Sequence, residues 1–318
     1  MISFIIIGRN EGWRLEKCLK SVKTIIEKEL SVPTEILYID SQSTDESIEI
    51  SKKYANRTFL ITGVFNAAIG RNIGAKEAKG EILFFMDGDM ELREGIVSSI
   101  LTEQGTLVYP FISGVEYEFL YDQDWSLKGE RIRRKFVEGE DIYKPTTGGL
   151  FATEKRLWDE VGGMDNRFSR SQDMDFGFKM SAKKIPLLRK GQLWVNHYTV
   201  FYAVRHNALS TIKYSALLLR KHFFEKTVQL TVLKNNYSSY LLAFTLVLVL
   251  CINYPFSLLA IVPYLLTICY RTVMTRKRTA VELNYFKTAT NRITKDILFI
   301  YSFLTFYPSK PTISYREV

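Results

Sequence analysis

The chain has 318 residues and a mass of 36.9 kDa, and it is 47% hydrophobic and 24% charged, which is typical of a folded protein and excludes a largely disordered one. Its length allows at most two compact domains. The three cysteines, Cys18, Cys251 and Cys269, have neither CxxC nor metal-ligand spacing, so disulfides and a cysteine-bound metal are not expected.

The net charge of +9 is distributed unevenly along the chain. Residues 205–318 contain 15 Lys and Arg against 4 Asp and Glu, a net charge of +11, so residues 1–204 sum to −2. The basic part also contains an uncharged, mostly apolar stretch at 235–270. This combination indicates a membrane surface as the anionic partner and argues against nucleic acid.

Residues 1 to about 110 alternate short apolar runs with segments of helical period, which is typical of a mostly parallel α/β sheet. Residues 110–147 are less regular and predict a long loop or short strands over a site, and regular structure resumes near Gly148. The pattern predicts a helix at Ala67–Lys79 and strands at Ser3–Ile7, Glu35–Ile39, Thr58–Ile61, Ile82–Met86 and Leu150–Ala152.

The C-terminal third predicts a membrane-associated helical region. Residues 206–234 have the basic amphipathic pattern of an interfacial helix. The stretch 235–270 is long for one membrane span and short for two, Asn253-Tyr254-Pro255 divides it, and basic residues flank both ends. We therefore expect a hydrophobic hairpin or re-entrant helices, with a buried apolar helix pair as the alternative. Residues 271–318 are then a basic cytoplasmic tail with a short apolar segment, Ile297–Tyr307.

The clearest chemical signal is a buried strand that ends in Asp87-Gly88-Asp89. In an open parallel sheet, ligands bind at the carboxyl ends of the strands, where these two acids fall. Two neighbouring carboxylates repel each other unless a cation joins them, and oxygen ligands suit Mg²⁺ or Mn²⁺ bound together with a diphosphate. A polar turn at a strand end is the simpler alternative.

Other polar clusters fall at neighbouring strand ends: Gly8–Glu11, Asp40–Asp45 and Ala68–Gly74. These clusters are expected to converge on one crevice, where Asp40 would accept a hydrogen bond from a base or a ribose hydroxyl. No G-x-G-x-x-G sequence follows the first strand, which argues against a dinucleotide cofactor.

A turn at Gly162-Gly163-Met164-Asp165 precedes a second pair of acids, Asp173 and Asp175. On a strand these acids would share a face, whereas at a helix start they would point in roughly opposite directions. Asp173 is a candidate general base at the wall of a cleft, and a helix-capping role is the alternative.

With these motifs in this order, residues 1 to about 205 resemble the family 2 glycosyltransferases of the GT-A fold. The resemblance rests on Asn10-Glu11, Asp40 with Ser43-Thr44-Asp45, Ala68, Arg71, Asn72, Gly74, Asp87, Asp89, Gly162, Gly163, Asp165, Asp173 and Asp175. Two positions depart from the family pattern: Gln172 stands where a Glu is common, and a single Asp40 stands where two acids are common.

The resemblance implies a Rossmann-like GT-A catalytic domain and an inverting, metal-dependent transferase that uses a nucleotide diphosphate sugar, first of all a UDP-sugar. It assigns the general base to Asp173 and the Mg²⁺ or Mn²⁺ ligands to Asp89, Asp87 and His197. It places the donor against Gly8, Asn10, Glu11, Asp40, Ser43, Arg71, Asn72, Asp87, Gly149 and Gln172.

The membrane-associated region suggests a lipid-linked or other glycan acceptor in cell-surface polysaccharide or glycolipid synthesis. The expected location is the inner (cytoplasmic) membrane, with the catalytic domain in the cytoplasm. Two other functions fit the same residues: transfer of a sugar to a polyprenyl phosphate, and a membrane-anchored binding or scaffold protein whose site no longer catalyses.

Overall fold

The structure is a computed structural model that describes residues 1–133, 139–200, 208–251, 259, 261–279 and 284–318. The chain divides into two compact units. The first comprises Met1–Arg205 together with Ser309–Val318, and the second comprises His206–Pro308. The first unit is an α/β unit and the second is helical.

In the first unit, the described residues form one eleven-stranded sheet. Its order is β11-β3-β2-β1-β4-β9-β6-β10-β5, with β7 beside β6 and β8 beside β10. The strands are β1 (Ile2–Gly8), β2 (Thr34–Asp40), β3 (Arg57–Ile61), β4 (Ile82–Asp87), β5 (Met90–Leu92), β6 (Phe111–Tyr121), β7 (Leu127–Ile132), β8 (Ile142–Lys144), β9 (Phe151–Glu154), β10 (Leu187–Val200) and β11 (Tyr315–Glu317).

Strands β1 to β4 pair in parallel, as their apolar runs predict. The sheet as a whole is mixed and not mostly parallel, because β9 runs antiparallel to β4 and further antiparallel pairs follow. The helices of the first unit are α1 (Trp13–Glu29), α2 (Ser47–Tyr54), α3 (Ala67–Glu77), α4 (Ile96–Ser99), α5 (Lys155–Glu160) and α6 (Gln172–Ala182).

Both faces of the central strands are covered by apolar side chains. On one face, α1 buries Leu15, Leu19 and Val22, which recur at helical spacing. On the other face, α3 begins where the Asn66 side chain accepts a hydrogen bond from the Ile69 N–H at 2.9 Å. The sheet edge that carries the candidate site is therefore fixed by packing on both sides.

The prediction of a long loop or short strands at 110–147 is wrong for its first third, because β6 runs unbroken from Phe111 to Tyr121. Glu116 and Glu118 interrupt the apolar pattern of this strand, yet both are buried. Their charges are compensated by Arg133 and Arg131, so the strand tolerates two acids that a surface loop would normally carry.

The second unit contains α7 (Ala208–Lys221), α8 (Lys226–Cys251), α9 (Ile261–Thr279) and α10 (Tyr285–Thr305). The single interfacial helix predicted at 206–234 is instead α7 and the start of α8, and α8 is bent at Asn236, whose backbone angles are non-helical. The Asn253-Tyr254-Pro255 break of the predicted hairpin lies outside the described residues. In the parts of the chain that the structure describes, no helix is both long and apolar enough to cross a membrane.

The last ten residues return to the first unit, whereas the sequence pattern assigned them to a tail. Strand β11 pairs antiparallel with β3 at the edge of the sheet. The Tyr315 ring packs edge-on against Phe59 with centroids 6.0 Å apart, and its hydroxyl donates to Glu77 at 2.7 Å. Arg57 joins Glu77 to Glu317, both at 2.9 Å. This edge strand is thus held by packing and by charge.

Replacing Tyr315 with Ala should lower the free energy of unfolding by about 1–3 kcal/mol, because the ring contact and the bond to Glu77 are lost together. Urea unfolding followed by tryptophan fluorescence measures the change. Arg316→Ala is the matched control, since its exposed side chain lies on the same strand, and it should change stability by no more than about 0.5 kcal/mol. An unchanged urea midpoint for Y315A would show that β11 does not stabilise the unit.

Candidate active site

The register of the central strands brings three of the predicted polar clusters to one edge of the sheet. Gly8 at the end of β1 lies opposite Asp40 at the end of β2. Asp87 at the end of β4 lies opposite Ile7 on the other side of β1. The convergence expected from the sequence is therefore present in the structure.

The loops after β1 and β2 are tied together by Asn10 and Ser43. The backbone N–H of Asn10 donates to Ser43 Oγ at 2.8 Å, and Asn10 Oδ1 accepts from the Thr44 N–H at 2.8 Å. Asp40 is fully buried and accepts from the Ser43 N–H at 2.7 Å and from the Tyr38 hydroxyl at 3.1 Å. These three residues shape the crevice, and their direct contact with a nucleotide stays a prediction.

Asp87 is positioned by Arg71 and by the close approach of Gly149. Arg71 is only 2% exposed, and its Nη2 lies 2.5 Å from Asp87 Oδ1. Any Cβ at Gly149 would lie 2.3 Å from Asp87 Oδ2, so only glycine fits there. The Asp87 carboxylate is thus fixed from two sides, and Arg71 acts through it.

Asp89 lies at one point of a row of buried groups whose charges alternate in sign. Its Oδ2 is 3.2 Å from His197 Nε2 and 3.6 Å from Arg14 Nη1. Arg14 pairs in turn with Glu11 at 2.6 Å, while His197 Nδ1 lies 3.4 Å from Glu116 Oε2. His197 is brought here by β10, whose pairing with β5 sets it opposite Met90.

Neighbouring opposite charges explain the pKa shifts of His197 and Glu116, whereas burial is the main cause of the shift at Glu11. Burial disfavours the charged form of His197, but the Asp89 and Glu116 carboxylates outweigh burial and raise its pKa to about 10. Burial likewise opposes ionisation of Glu116, yet His197 and Arg133 lower the pKa of Glu116 to about 2. Burial, followed by the charge of Asp89, raises the pKa of Glu11 to about 8.

The sequence motifs missed Arg14 and Glu116, which hold Asp89 and His197 in place. Arg14 looks like an ordinary charged residue at the start of an amphipathic helix, although it is 9% exposed. Glu116 carried a usable signal, since it alternates with Glu118 in an otherwise apolar run. Acids spaced by two in such a run indicate buried charges that need partners.

Asn72 has a structural role in the turn that precedes α6. Its Nδ2 donates to the Met164 carbonyl at 2.7 Å, and its Oδ1 accepts from the Met164 N–H at 2.9 Å. Gly163 adopts a φ of +59°, and a Cβ there would lie 2.6 Å from Asn72 Oδ1. The predicted contact of Asn72 with the donor stays a prediction, while its hold on the turn is observed.

The two acids of α6 point to different sides of the helix. Asp175 is fully buried, whereas Asp173 is half-buried and its Oδ1 accepts from the Met174 N–H at 2.9 Å. Ser171 is the N-cap residue, so Asp173 lies inside the first turn and is not the cap. The Gln172 Oε1 atom is buried and accepts no hydrogen bond from the described residues. Asp173 is therefore the more exposed of the two acids, and its role as general base stays a prediction.

A large part of the first unit matches a known protein family. Residues 3–147 match the family model described as Glycosyl transferase family 2. The first unit is a family 2 glycosyltransferase domain. The family that the strand-end motifs suggested is therefore confirmed.

The curated relatives of this glycosyltransferase domain carry glycosyltransferase names. The probable N-acetylgalactosaminyltransferase 9 of Caenorhabditis elegans is 29% identical over 198 residues, which are 51% of this chain and 33% of the relative. The 4,4'-diaponeurosporenoate glycosyltransferase of Staphylococcus haemolyticus is 33% identical over 114 residues, 32% of this chain and 29% of the relative. The chain spans about a third of the length of these relatives.

Among solved structures, the chain is similar to GalNAc-T7, crystallised with UDP, GalNAc and Mn²⁺. The TM-score is 0.55 at 18% sequence identity, and the match covers 71% of this chain and 48% of the other. At this identity the likeness concerns the fold, and it supports the GT-A architecture of the family 2 domain.

Replacing Glu116 with Gln should lower the pKa of His197 from about 10 toward its ordinary 6.5, because one of two flanking carboxylates is lost. The contribution of protonated His197 to the free energy of unfolding is fully present below pH 6.5 and is lost as the pH rises through about 10. The stabilisation from Glu116 is complete above pH 4.5 and is lost as the pH falls toward about 2. NMR titration of the His197 imidazole in EDTA measures this pKa. The E116Q substitution should also lower the free energy of unfolding by about 3 kcal/mol near neutral pH.

Glu118→Gln is the matched control for this variant, because Glu118 is a buried acid two residues away on the same strand face. Its partners are Arg131 and Arg133, so the His197 titration should stay near that of the unaltered protein. Equal shifts of the His197 pKa in E116Q and E118Q would contradict the assigned pairing.

Proposed function

We propose that the protein is an inverting, metal-dependent glycosyltransferase that transfers a sugar from a nucleotide diphosphate sugar to a lipid-linked glycan acceptor. The observation that carries this proposal is the pair Asp87 and Asp89 at the sheet edge of a family 2 domain, each held by a buried cation, Arg71 and His197. Such rigid positioning at the carboxyl end of a strand suits the binding of a charged ligand.

The residues at this edge fit a divalent cation that shares its coordination with the donor. Asp89 Oδ1 is buried and accepts no hydrogen bond from another described residue, so it retains a free site for a cation. No group of three or more His, Cys, Asp or Glu side chains in the described ranges is arranged to hold a metal ion. Asp89 and Asp87 would therefore hold Mg²⁺ or Mn²⁺ only with ligands from a diphosphate and water, and His197 would join them only after losing the proton that it holds between Asp89 and Glu116.

The protein's own groups divide the chemistry between them. Asp173 would take the proton of the acceptor hydroxyl while that oxygen attacks the anomeric carbon, and the bond from this carbon to the diphosphate oxygen breaks. A single displacement of this kind inverts the anomeric configuration. When bound, Mg²⁺ or Mn²⁺ supplies Lewis-acid stabilisation of the charge on the diphosphate. Asp40 and Asp87 would hold the base and the ribose.

A UDP-sugar is the first donor to test. The solved structure with the same fold contains UDP and Mn²⁺, and several curated relatives are named as N-acetylgalactosaminyltransferases. These names support a uridine nucleotide without fixing the sugar. A panel of UDP-, GDP-, CMP- and dTDP-sugars with Mn²⁺, read by release of free nucleotide, tests the donor directly.

The membrane part of the proposal is supported by the surface of the helical unit. Among the described residues, 21 of the 29 large hydrophobic side chains that are exposed belong to this unit. Phe224, Phe286 and Leu250 are each more than four-fifths exposed. An apolar surface of this extent on a basic unit suits the face of a bilayer, and the inner membrane with a cytoplasmic catalytic domain is the proposed location.

Replacing Asp89 with Asn should abolish nucleotide release from the donor and remove the dependence of UDP binding on Mn²⁺, because the carboxylate that meets the cation is lost. Isothermal titration of UDP with Mn²⁺ and with EDTA measures the effect. Glu46→Gln, an exposed acid at the start of α2, is the control and should bind as the unaltered protein does. If the unaltered protein bound UDP equally well with Mn²⁺ and with EDTA, a metal-dependent donor site would be excluded. If it bound UDP but released no nucleotide from any sugar donor, it would be a binding or scaffold protein.

Replacing Asp173 with Asn should leave the Kd for UDP within about twofold and lower kcat by roughly 10² to 10⁴, since only proton removal is lost. The side chain is half-buried at the start of α6, so the fold should tolerate the amide. Loss of UDP binding in this variant would assign Asp173 to the binding of the donor instead of proton transfer.

A further inference from the structure

Two adjoining cavities in the helical unit are lined by basic side chains. One has a volume of about 200 Å³ and the other about 470 Å³, and they share Asn235, Arg271 and Arg292 in their walls. Lys295 lines the first cavity and Lys234 the second. Among the described residues of the two linings, four are basic and Asp296 is the one acid.

The polar side chains that line this basic cavity pair come from three helices, α8, α9 and α10. Asp296 on α10 is 4% exposed and accepts hydrogen bonds from Ser239 at 2.7 Å, Ser238 at 2.8 Å and Tyr264 at 3.2 Å. These bonds join α8, α9 and α10 around the carboxylate. Arg271 on α9 donates to Ser238, so its guanidinium is held by the same network. The cavity wall is thus a fixed arrangement rather than a set of loose surface side chains.

The bend in α8 places further donors at the same point. The non-helical angles of Asn236 interrupt α8 there, and Asn235 and Asn236 both line the first cavity. The Arg271 guanidinium lies over the Tyr237 ring, 4.5 Å from its centroid. Amide, guanidinium and ammonium groups converge, and all of these groups can donate hydrogen bonds to an anion.

Arg292 lies partly buried beside Arg271 in the cavity walls. Burial lowers the pKa of Arg292, and the nearby Arg271 cation lowers it further, by more than Asp296 raises it. Arginine remains protonated at neutral pH in spite of this shift. Two protonated guanidinium groups therefore line both cavities, and a phosphate there can accept hydrogen bonds from both of them.

The surroundings of the cavities are apolar and aromatic. Tyr237 and Tyr270 line the larger cavity, and Tyr270 is 62% exposed. Leu266 and Val273 on α9 are exposed as well. Tyrosine is favoured where an apolar phase meets water, so the basic groups are bordered by a surface suited to the lipid headgroup region.

We propose that the cavity pair around Arg271 and Arg292 binds the phosphate group of an anionic lipid at the membrane surface. Arginine forms paired hydrogen bonds with phosphate, and Lys234 and Lys295 add charge at the two openings. The exposed tyrosines border the acyl chains. This site belongs to the helical unit alone, and its occupancy does not depend on the proposed sugar transfer.

The test uses the full chain and vesicles of phosphatidylcholine with or without phosphatidylglycerol. Lys234→Gln with Lys295→Gln removes two exposed cations from the cavity walls and should leave folding intact. Because both lysines would contact the bound phosphate in the proposed site, this pair should weaken binding to phosphatidylglycerol vesicles roughly 30-fold. Arg271→Gln with Arg292→Gln should weaken it at least as much, with folding checked by circular dichroism.

The matched control is Lys226→Gln with Lys287→Gln, which removes the same charge from exposed positions outside both cavity linings. Its loss of vesicle affinity should be at least tenfold smaller. Equal losses in the two lysine pairs would overturn the proposal in favour of general surface attraction. Inorganic pyrophosphate is the soluble probe: pyrophosphate binding without any preference for phosphatidylglycerol over phosphatidylcholine would overturn the lipid assignment.

Discussion

The alternation of charge around Asp89 is the constraint on which the candidate site depends. A buried ion is costly unless an opposite charge lies beside it, so each group in the row requires the next. The members of the row belong to different elements of the domain. They are Glu11 in the loop after β1, Arg14 in α1, Asp89 just after β4, His197 in β10 and Glu116 in β6. Loss of one group would therefore leave its neighbours uncompensated. The strands that build the sheet and the charges that build the site thus stabilise each other.

The parallel half of the sheet and its polar edge could be predicted from sequence, because apolar runs and the residues that follow them are local patterns. Asp87, Asp89 and Asp173 were found in this way. Arg14 and Glu116 were missed because their partners in the site, Asp89 and His197, are 75 and 81 residues away in sequence, although the alternation of Glu116 with Glu118 was a usable local sign of buried charge. The donor-binding roles of Arg71 and Asn72 stay predictions, and the structure adds a contact that the motif did not indicate: Arg71 holds Asp87, and Asn72 holds the turn at Met164.

The C-terminal third shows a second limit of pattern reading. Its basic and apolar segments indicated a membrane-associated region, which stays a prediction, while its helical character is observed. The observed helix boundaries differ from the predicted ones. Neither the break between α7 and α8 nor the bend at Asn236 contains a proline or glycine that would have indicated it in the sequence. Strand β11 is only three residues long, too short for a period of two to stand out. Its place in the sheet follows from pairing with β3, which is a tertiary interaction.

The return of the last ten residues to the first sheet makes the helical unit an insertion in the transferase domain. The chain leaves this domain after Arg205 and enters it again at Ser309, so both ends of the insertion are anchored to one folded body. Any part of the insertion that enters a bilayer must therefore come back out on the side where it went in, and the number of crossings is even. For the same reason, cutting the chain after Arg205 removes an edge strand of the sheet along with the helices, whereas excising 206–308 alone leaves β11 available to pair.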